Sequence, residues 1–295
     1  MRVTLADENI ATLALPAGIL ILLLGAVSVQ LGVVPLLPTA SALAPETVVV
    51  PAAPLTYRAT GEFQQGGHPV DAPLVHLERA PEIEIMRYQV TNTAYARCVE
   101  AGQCKAAAPA MRVEGEAPVT GVSYQDATDY ARWLSQESGA TWRLPTVAEW
   151  DFVAGERAQD HVLRAETDAA NPAERWIAVY EQEAAAQVDM EAMPRPPGYF
   201  GFNEKGVADL SANVWEWTST CVQRTTLDEA GQVVSTIESC GMRYLEGRHR
   251  TPMNIFVRDA RAGGCSVGVL PANLGFRLVR ERPWHERLLG RLTLG

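Results

Sequence analysis

Asn203-Glu204-Lys205-Gly206-Val207-Ala208-Asp209-Leu210-Ser211-Ala212-Asn213-Val214-Trp215-Glu216-Trp217 is the stretch on which the reading of this chain turns. Glycine, asparagine and aromatic residues recur through it. That pattern reads as loop running into short strand, not as a long regular element. Downstream the chain continues in the same way, rich in Gly and Asn with a few short strands.

Working outward, the helical signals lie upstream. Tyr95, Cys98 and Val99 fall at helical spacing over Thr93–Glu100, with Ala101-Gly102 as the stop. Pro118-Val119-Thr120-Gly121-Val122 reads as a short strand and turn. Ser123 then caps a helix to about Ser135, whose apolar face carries Ala127, Tyr130, Ala131 and Leu134. Trp142-Arg143-Leu144-Pro145 leads into Thr146-x-x-Glu149, a capping box that opens a third helix and explains Glu149 without a catalytic role. Asn171-Pro172 starts a further predicted helix to about Gln187, ended by Pro194, Pro196, Pro197 and Gly198. Alternation in Leu74-Val75-His76-Leu77 and Ile83-Glu84-Ile85 predicts strands.

The 295 residues are 47% hydrophobic and 20% charged, which excludes a disordered or collagen-like chain. A net charge of -10 argues against a nucleic-acid surface. The charge is uneven. Residues 243–295 hold ten Arg against Glu246, Asp259, Glu281 and Glu286, a net of +6, so the remainder carries -16. Arginine suits fixed bidentate pairing, so this asymmetry predicts ion pairs between the C-terminal part and the acidic body.

No charge occurs from Asn9 to Pro45, and Leu13 to Leu37 is almost wholly apolar. That length spans a bilayer and exceeds a usual signal-peptide core, so an uncleaved anchor is expected, with Ala42-Leu43-Ala44 offering cleavage as the alternative. The expected layout is a short cytoplasmic N-terminus (1–10), a transmembrane anchor (11–38), a Pro/Ala-rich tether (39–56), one exported domain (57–282) and a tail (283–295). The body then lies at the periplasmic face of the inner membrane. Five cysteines in an oxidising compartment suggest two disulfides and one leftover thiol. Cys98 and Cys104 are close enough to bridge. Cys221–Cys240 with Cys265 free is the favoured arrangement of the rest, although the sequence leaves the pairing of these three open.

Several stretches in order resemble the formylglycine-generating enzyme (sulfatase-modifying factor) family. They are Ile85–Asn92, Pro118–Ser123, Trp142–Trp150, Asn203–Trp217, Gly263-Gly264-Cys265 and Gly275-Phe276-Arg277-Leu278-Val279. The resemblance covers about residues 57–282. It implies an α+β, compact C-type-lectin-like fold with little regular structure, here preceded by one transmembrane helix. Cys240-Gly241, Glu246–Arg250 and Val257–Arg261 look most like its exported branch. That branch includes NirV-type proteins linked to copper nitrite reductase and PvdO-type proteins of pyoverdine maturation. This implies a periplasmic maturation or accessory role, possible in oxidoreductase form, on a partner protein or secreted metabolite.

The family's best-known activity oxidises a substrate cysteine to formylglycine with oxygen and a copper ion held by two cysteines after the Gly-Gly-Ser element. Residues 266–277 contain no cysteine, and Cu(I) needs soft ligands that one thiol cannot pair. Formylglycine generation is therefore the weaker expectation. The five histidines show no ligand spacing for the iron of a related branch. Cys265 replaces the family's active-site serine and is expected as a redox thiol or soft-metal ligand, or else as a disulfide partner. His249 is a candidate base and Arg258 a candidate activating charge near it. Arg277 is expected as a structural ion-pair partner. The resemblance also implies calcium held by Asp209, the carbonyls of Ala212 and Val214, and Glu216. A buried Glu216 paired with an arginine is the alternative. A non-catalytic lectin-like binding or assembly module is the competing function.

Overall fold

The computed structural model describes residues 44–109, 113, 115–158, 193–259 and 273–282, with single helical positions at 174, 177–178 and 181. The expected anchor, most of the Asn171–Gln187 helix, Cys265 and the 283–295 tail lie outside the described residues. Among the described residues no helix is long and apolar enough to cross a membrane.

Strand dominates. A four-stranded antiparallel sheet runs β1 (Thr47–Val50), β6 (Ile83–Met86), β12 (Val279–Glu281), β7 (Thr141–Arg143). A second sheet runs β10 (Thr251–Asn254), β9 (Val233–Glu246), β8 (Trp215–Leu227), β3 (Glu62–Gln65), β4 (His68–Val70), with β11 (Leu274–Gly275) pairing β8 in parallel. β2 (Ala53–Arg58) and β5 (Leu74–Ala80) form a two-stranded ribbon. The expected tether at 39–56 is thus corrected: from Thr47 it is strand, and Val50 reaches the core at 2% exposure. The alternation Val48–Val50 opposite Ile83–Ile85 gives it a face to bury.

Three helices follow the sequence signals. α1 spans Asn92–Glu100 with Thr91 as N-cap. α2 spans Tyr124–Ser138, three residues longer than predicted, because its stop is the left-handed Gly139. α3 spans Val147–Ala154, and its Thr146/Glu149 capping box is formed as expected. Pro118–Val122 makes only an isolated bridge to Thr91 instead of a strand. Gly121 explains why: at φ +71° a Cβ there would lie 2.3 Å from the Ala108 carbonyl, so the chain turns where another backbone touches it.

Ile85, Trp150, Val153, Val207, Leu210 and Val279 share the core between the first sheet and α3. A second cluster stacks Tyr95, Tyr130 and Phe276 beneath α1 and α2, with ring centroids 5.4–6.4 Å apart.

The charge asymmetry resolves as predicted. Arg250 pairs with Asp151 and Glu246, Arg258 with Asp126, Arg277 with Glu216, Arg280 with Glu84 and Arg282 with Glu82. Apart from the Arg250–Glu246 pair, these arginines of the C-terminal part reach acids made earlier in the chain.

Candidate functional site

The centre of the molecule is built on two glutamates. Glu216 on β8 and Glu246 on β9 stand directly opposite in the antiparallel ladder, and both are buried. Like charges in that position repel, so each needs its own compensation.

Glu216 has a full set of partners. Arg277 donates to it from Nε (2.6 Å) and Nη2 (2.7 Å). Gln89 Nε2 donates at 2.8 Å and Trp150 Nε1 at 3.1 Å. Arg277 is wholly buried and also donates to the carbonyls of Ala208 and Arg87, so it ties four chain segments together.

Glu246 shares one guanidinium. Arg250 Nε donates to Glu246, and its Nη2 donates to Asp151 of α3 at 2.7 Å. Arg250 thus divides its donors between two carboxylates, and Glu246 lies inside the protein. Burial, which outweighs the nearby Arg250, and the neighbouring Asp151 push the Glu246 carboxyl up to about 8.

Beside this cluster lies a cradle of Trp215, Gly247 and His249. The Trp215 and His249 rings meet edge to face at 5.6 Å, and Trp215 Nε1 donates to the His249 carbonyl at 3.2 Å. A Cβ at Gly247 would lie 2.7 Å from the Trp215 indole, so only glycine lets the indole close on β9. His249 is buried at 4% exposure although Arg248 and Arg250 flank it.

Arg258 is engaged elsewhere. Its Nε and Nη2 grip Asp126 at 2.7 and 2.6 Å, and Nη1 donates to the Ala106 carbonyl. Asp126 is the capping-box acid of α2. Burial raises its pKa, but the Arg258 and Ser123 hydrogen bonds outweigh that and hold it below the usual carboxylate range. The expectation of Arg258 as a reacting group is corrected on this geometry: it braces the turn after β10 against α2.

Asp209 accepts from the amides of Gly198 (2.6 Å) and Phe200 (2.8 Å), and burial raises its pKa despite them. Asp209, Ser211 and Asn213 all take left-handed backbone, at φ 58°, 57° and 65°. Each is uncommon outside glycine, and side-chain bonds hold them there. Ser211 donates to the Arg157 carbonyl, and Asn213 is doubly bonded to the Arg195 backbone.

A family model for the sulfatase-modifying factor enzyme 1-like domain matches residues 34–282. The chain belongs to this family. A formylglycine-generating enzyme of Mycobacterium tuberculosis is 36% identical over 107 residues, 35% of this chain and 33% of that protein. One from Streptomyces coelicolor is 33% identical over 178 residues, covering 56% and 52%. The chain thus spans from a third to about half the length of these relatives. A bovine relative at 29% identity over 119 residues (40% of this chain, 38% of that protein) is named an inactive C-alpha-formylglycine-generating enzyme 2. PvdO from Pseudomonas aeruginosa shares the fold, with TM-score 0.53 and 21% identity over 82% of this chain and 96% of that one.

Two metals implied by the sulfatase-modifying factor family can be tested against the residues present. Calcium does not fit. Both Glu216 oxygens accept from a guanidinium, both Asp209 oxygens accept from amides, and the Ala212 carbonyl accepts from the Val214 amide at 2.8 Å. A cation there would face a buried positive charge. The arginine-paired alternative for Glu216 is the one present. Copper(I) on a thiolate pair does not fit either, because Cys98–Cys104 and Cys221–Cys240 are bonded. Both pairings are those favoured from sequence, and Cys265 alone is left over.

Sequence reading missed Gln89, Trp150, Asp126, Asp151 and the double role of Arg250. Glu216 and Glu246 become neighbours only through the hairpin register, which no local pattern in the sequence announces.

Proposed function

We propose that this chain is an exported, membrane-anchored accessory or maturation factor that acts on a partner protein or secreted metabolite without copper-dependent formylglycine generation. Cysteine usage carries the reading. Two disulfides suit an oxidising compartment, and they leave one thiol where copper(I) would need a pair of soft ligands. The apolar run Leu13–Leu37 supports attachment at the periplasmic face of the inner membrane. In this reading Cys265 is the reacting thiol and His249 its base, while Arg258 positions the loop. The roles nearest to it are those of the NirV-type and PvdO-type proteins of nitrite reduction and pyoverdine maturation.

The test has two arms. The full chain, incubated with Cu(I), oxygen and a Cys-x-Pro-x-Arg peptide, is expected to form no formylglycine by mass spectrometry. Formation of the aldehyde overturns the reading. Cys265→Ser and His249→Gln are then compared with the wild type for restoring whatever is lost on deleting the gene. Loss in both supports chemistry at this pair.

A non-catalytic binding module is the second reading. The internal pairing of Arg250, Arg258 and Arg277 favours it, since these charges are committed to the fold. Full restoration by both variants would select it.

A further inference from the structure

The Cys221–Cys240 bond is built differently from Cys98–Cys104. Both sulfur-bearing residues of the second pair are buried, at 0% and 9% exposure, and among the described residues no cation bonds to either sulfur. In the first pair Cys221 is buried at 8% but Cys240 is exposed. Arg243 points Nη1 at Cys221 Sγ (2.7 Å) and also donates to the Ser219 carbonyl, with its guanidinium over the Tyr124 ring at 4.8 Å. Arg250, Arg258, Arg277, Arg280 and Arg282 all pair with carboxylates. Arg243 has none among the described residues, so its charge is spent on the sulfur. On the other side Glu238 brings a carboxylate oxygen within 4.8 Å of both sulfurs.

The backbone agrees. From Cys221 to Val222 the ladder partner jumps from Arg243 to Ser239, so Cys240, Gly241 and Met242 stand outside the β8 pairing. The hairpin is hydrogen-bonded on both sides of this bulge, through Trp217↔Leu245 and through Val222↔Ser239 onward to Leu227↔Val233. The bond bridges a bulge that the ladder already frames, so opening it leaves the hairpin paired.

We infer that Cys221–Cys240 is a thiol–disulfide exchange site for the cysteine thiols of a partner protein, with Cys240 as the sulfur attacked and Cys221 as the leaving thiolate. Exchange goes fastest where the attacked sulfur is accessible and the leaving sulfur is a stabilised thiolate. A partner thiolate bonds to Cys240 Sγ as the Cys221–Cys240 bond breaks, and the electron pair goes to Cys221, beside Arg243. A second partner thiolate then attacks the partner's own sulfur in the mixed disulfide and releases Cys240. The partner leaves with a disulfide, and two electrons pass to the Cys221/Cys240 pair. Of the partner's two protons, one goes to Cys240, whose thiolate Glu238 disfavours, and one to solvent. The inference rests on neither Cys265 nor the function proposed above.

The full chain is equilibrated with glutathione at graded reduced-to-oxidised ratios, quenched, alkylated and mapped by peptide mass spectrometry. Cys221–Cys240 is expected to open at a ratio at least tenfold lower than Cys98–Cys104, with the glutathione adduct on Cys240 and alkylation on Cys221. Arg243→Met is expected to slow opening about tenfold, with 2-mercaptoethanol as well as glutathione, so that the effect lies in the leaving group and not in attraction of an anionic thiol. Glu238→Gln, a surface change, is expected to speed attack by glutathione severalfold and keeps the test open if Arg243→Met fails to fold. Opening of both bonds only together with unfolding, an adduct on Cys221, or a wild-type rate in a folded Arg243→Met protein would overturn the inference.

Discussion

Glu216 and Glu246 face each other across one rung of the same hairpin, yet they are opposite kinds of group. Glu216 has a dedicated arginine and two further donors, and its charge is closed off inside the core. Glu246 must share Arg250 with Asp151 and is left as the group that holds its proton into the neutral range. Both are buried; what differs is that Arg277, Gln89 and Trp150 all donate to Glu216, whereas Arg250 divides its donors between Glu246 and Asp151. A buried carboxylate that receives several fixed donors ties the segments carrying them together, and burial with a neighbouring carboxylate raises the pKa of the other.

The sharpest way to break the comparison is to remove the dedicated cation. Arg277→Leu leaves Glu216 buried and uncompensated, which costs about 3–5 kcal/mol in systems of this kind. The variant is expected to unfold at far lower urea than the wild type or not to fold at all. A wild-type midpoint would show that Glu216 is not held by its charge partner.

Acidity probes the other glutamate. The folded-state pKa of Glu246 is raised from 4.5 to about 8, so between those values the folded protein keeps a proton that the unfolded chain has released. Its stabilising contribution is present below 4.5 and is lost as pH rises to about 8. Asp209, raised by burial, acts in the same direction. Asp126 and Glu149 act oppositely. Burial raises both, but arginine and capping hydrogen bonds outweigh it, so the stability they supply disappears as pH falls below the ordinary carboxylate range. Stability is therefore expected to peak in mild acid and to decline toward pH 8, by an amount on the order of 2–4 kcal/mol, and Glu246→Gln is expected to flatten that decline. A decline unchanged in Glu246→Gln would assign it to another group.

A smaller effect is expected at the cradle. Gly247→Ala sets a methyl against the Trp215 indole and is expected to cost about 1–3 kcal/mol, with a change in tryptophan fluorescence. No loss would mean that the indole is not closed against β9. The smallest expected effect is none at all. Excess calcium or a chelator should leave the melting temperature unchanged, because the oxygens at Asp209 and Glu216 already accept from donors. A rise of several degrees with calcium would contradict the arrangement around Glu216.

Much of the scaffold was legible because its signals are local. Thr146 and Glu149 lie three residues apart, so that capping box is visible within one turn, and Ser123 marks the start of α2 in the same local way. Cys98 and Cys104 are six apart and could be paired on spacing. The excess of arginine after residue 242 announced the ion pairs, though not which acid each would take. The sequence of β1 reads as tether because Pro45, Pro51 and Pro54 bracket only a few apolar residues, and its partner β6 comes more than thirty residues later. The site was less legible still. Glu216, Arg277, Gln89 and Trp150 come from four distant segments and acquire their meaning only when the sheet assembles. Arg258 lies near Cys265 in sequence, which suggests an active group, whereas its bidentate partner, Asp126, lies 132 residues away.

The most direct test of the central claim is a thiol map of the full chain recovered from an oxidising compartment, with free thiols alkylated before proteolysis and mass spectrometry. One alkylated cysteine, Cys265, is expected, with Cys98–Cys104 and Cys221–Cys240 each recovered as a bonded pair. Cys265 recovered in a disulfide with Cys221 or Cys240 would contradict it, because the leftover thiol would then be one of that pair and not the one proposed to react.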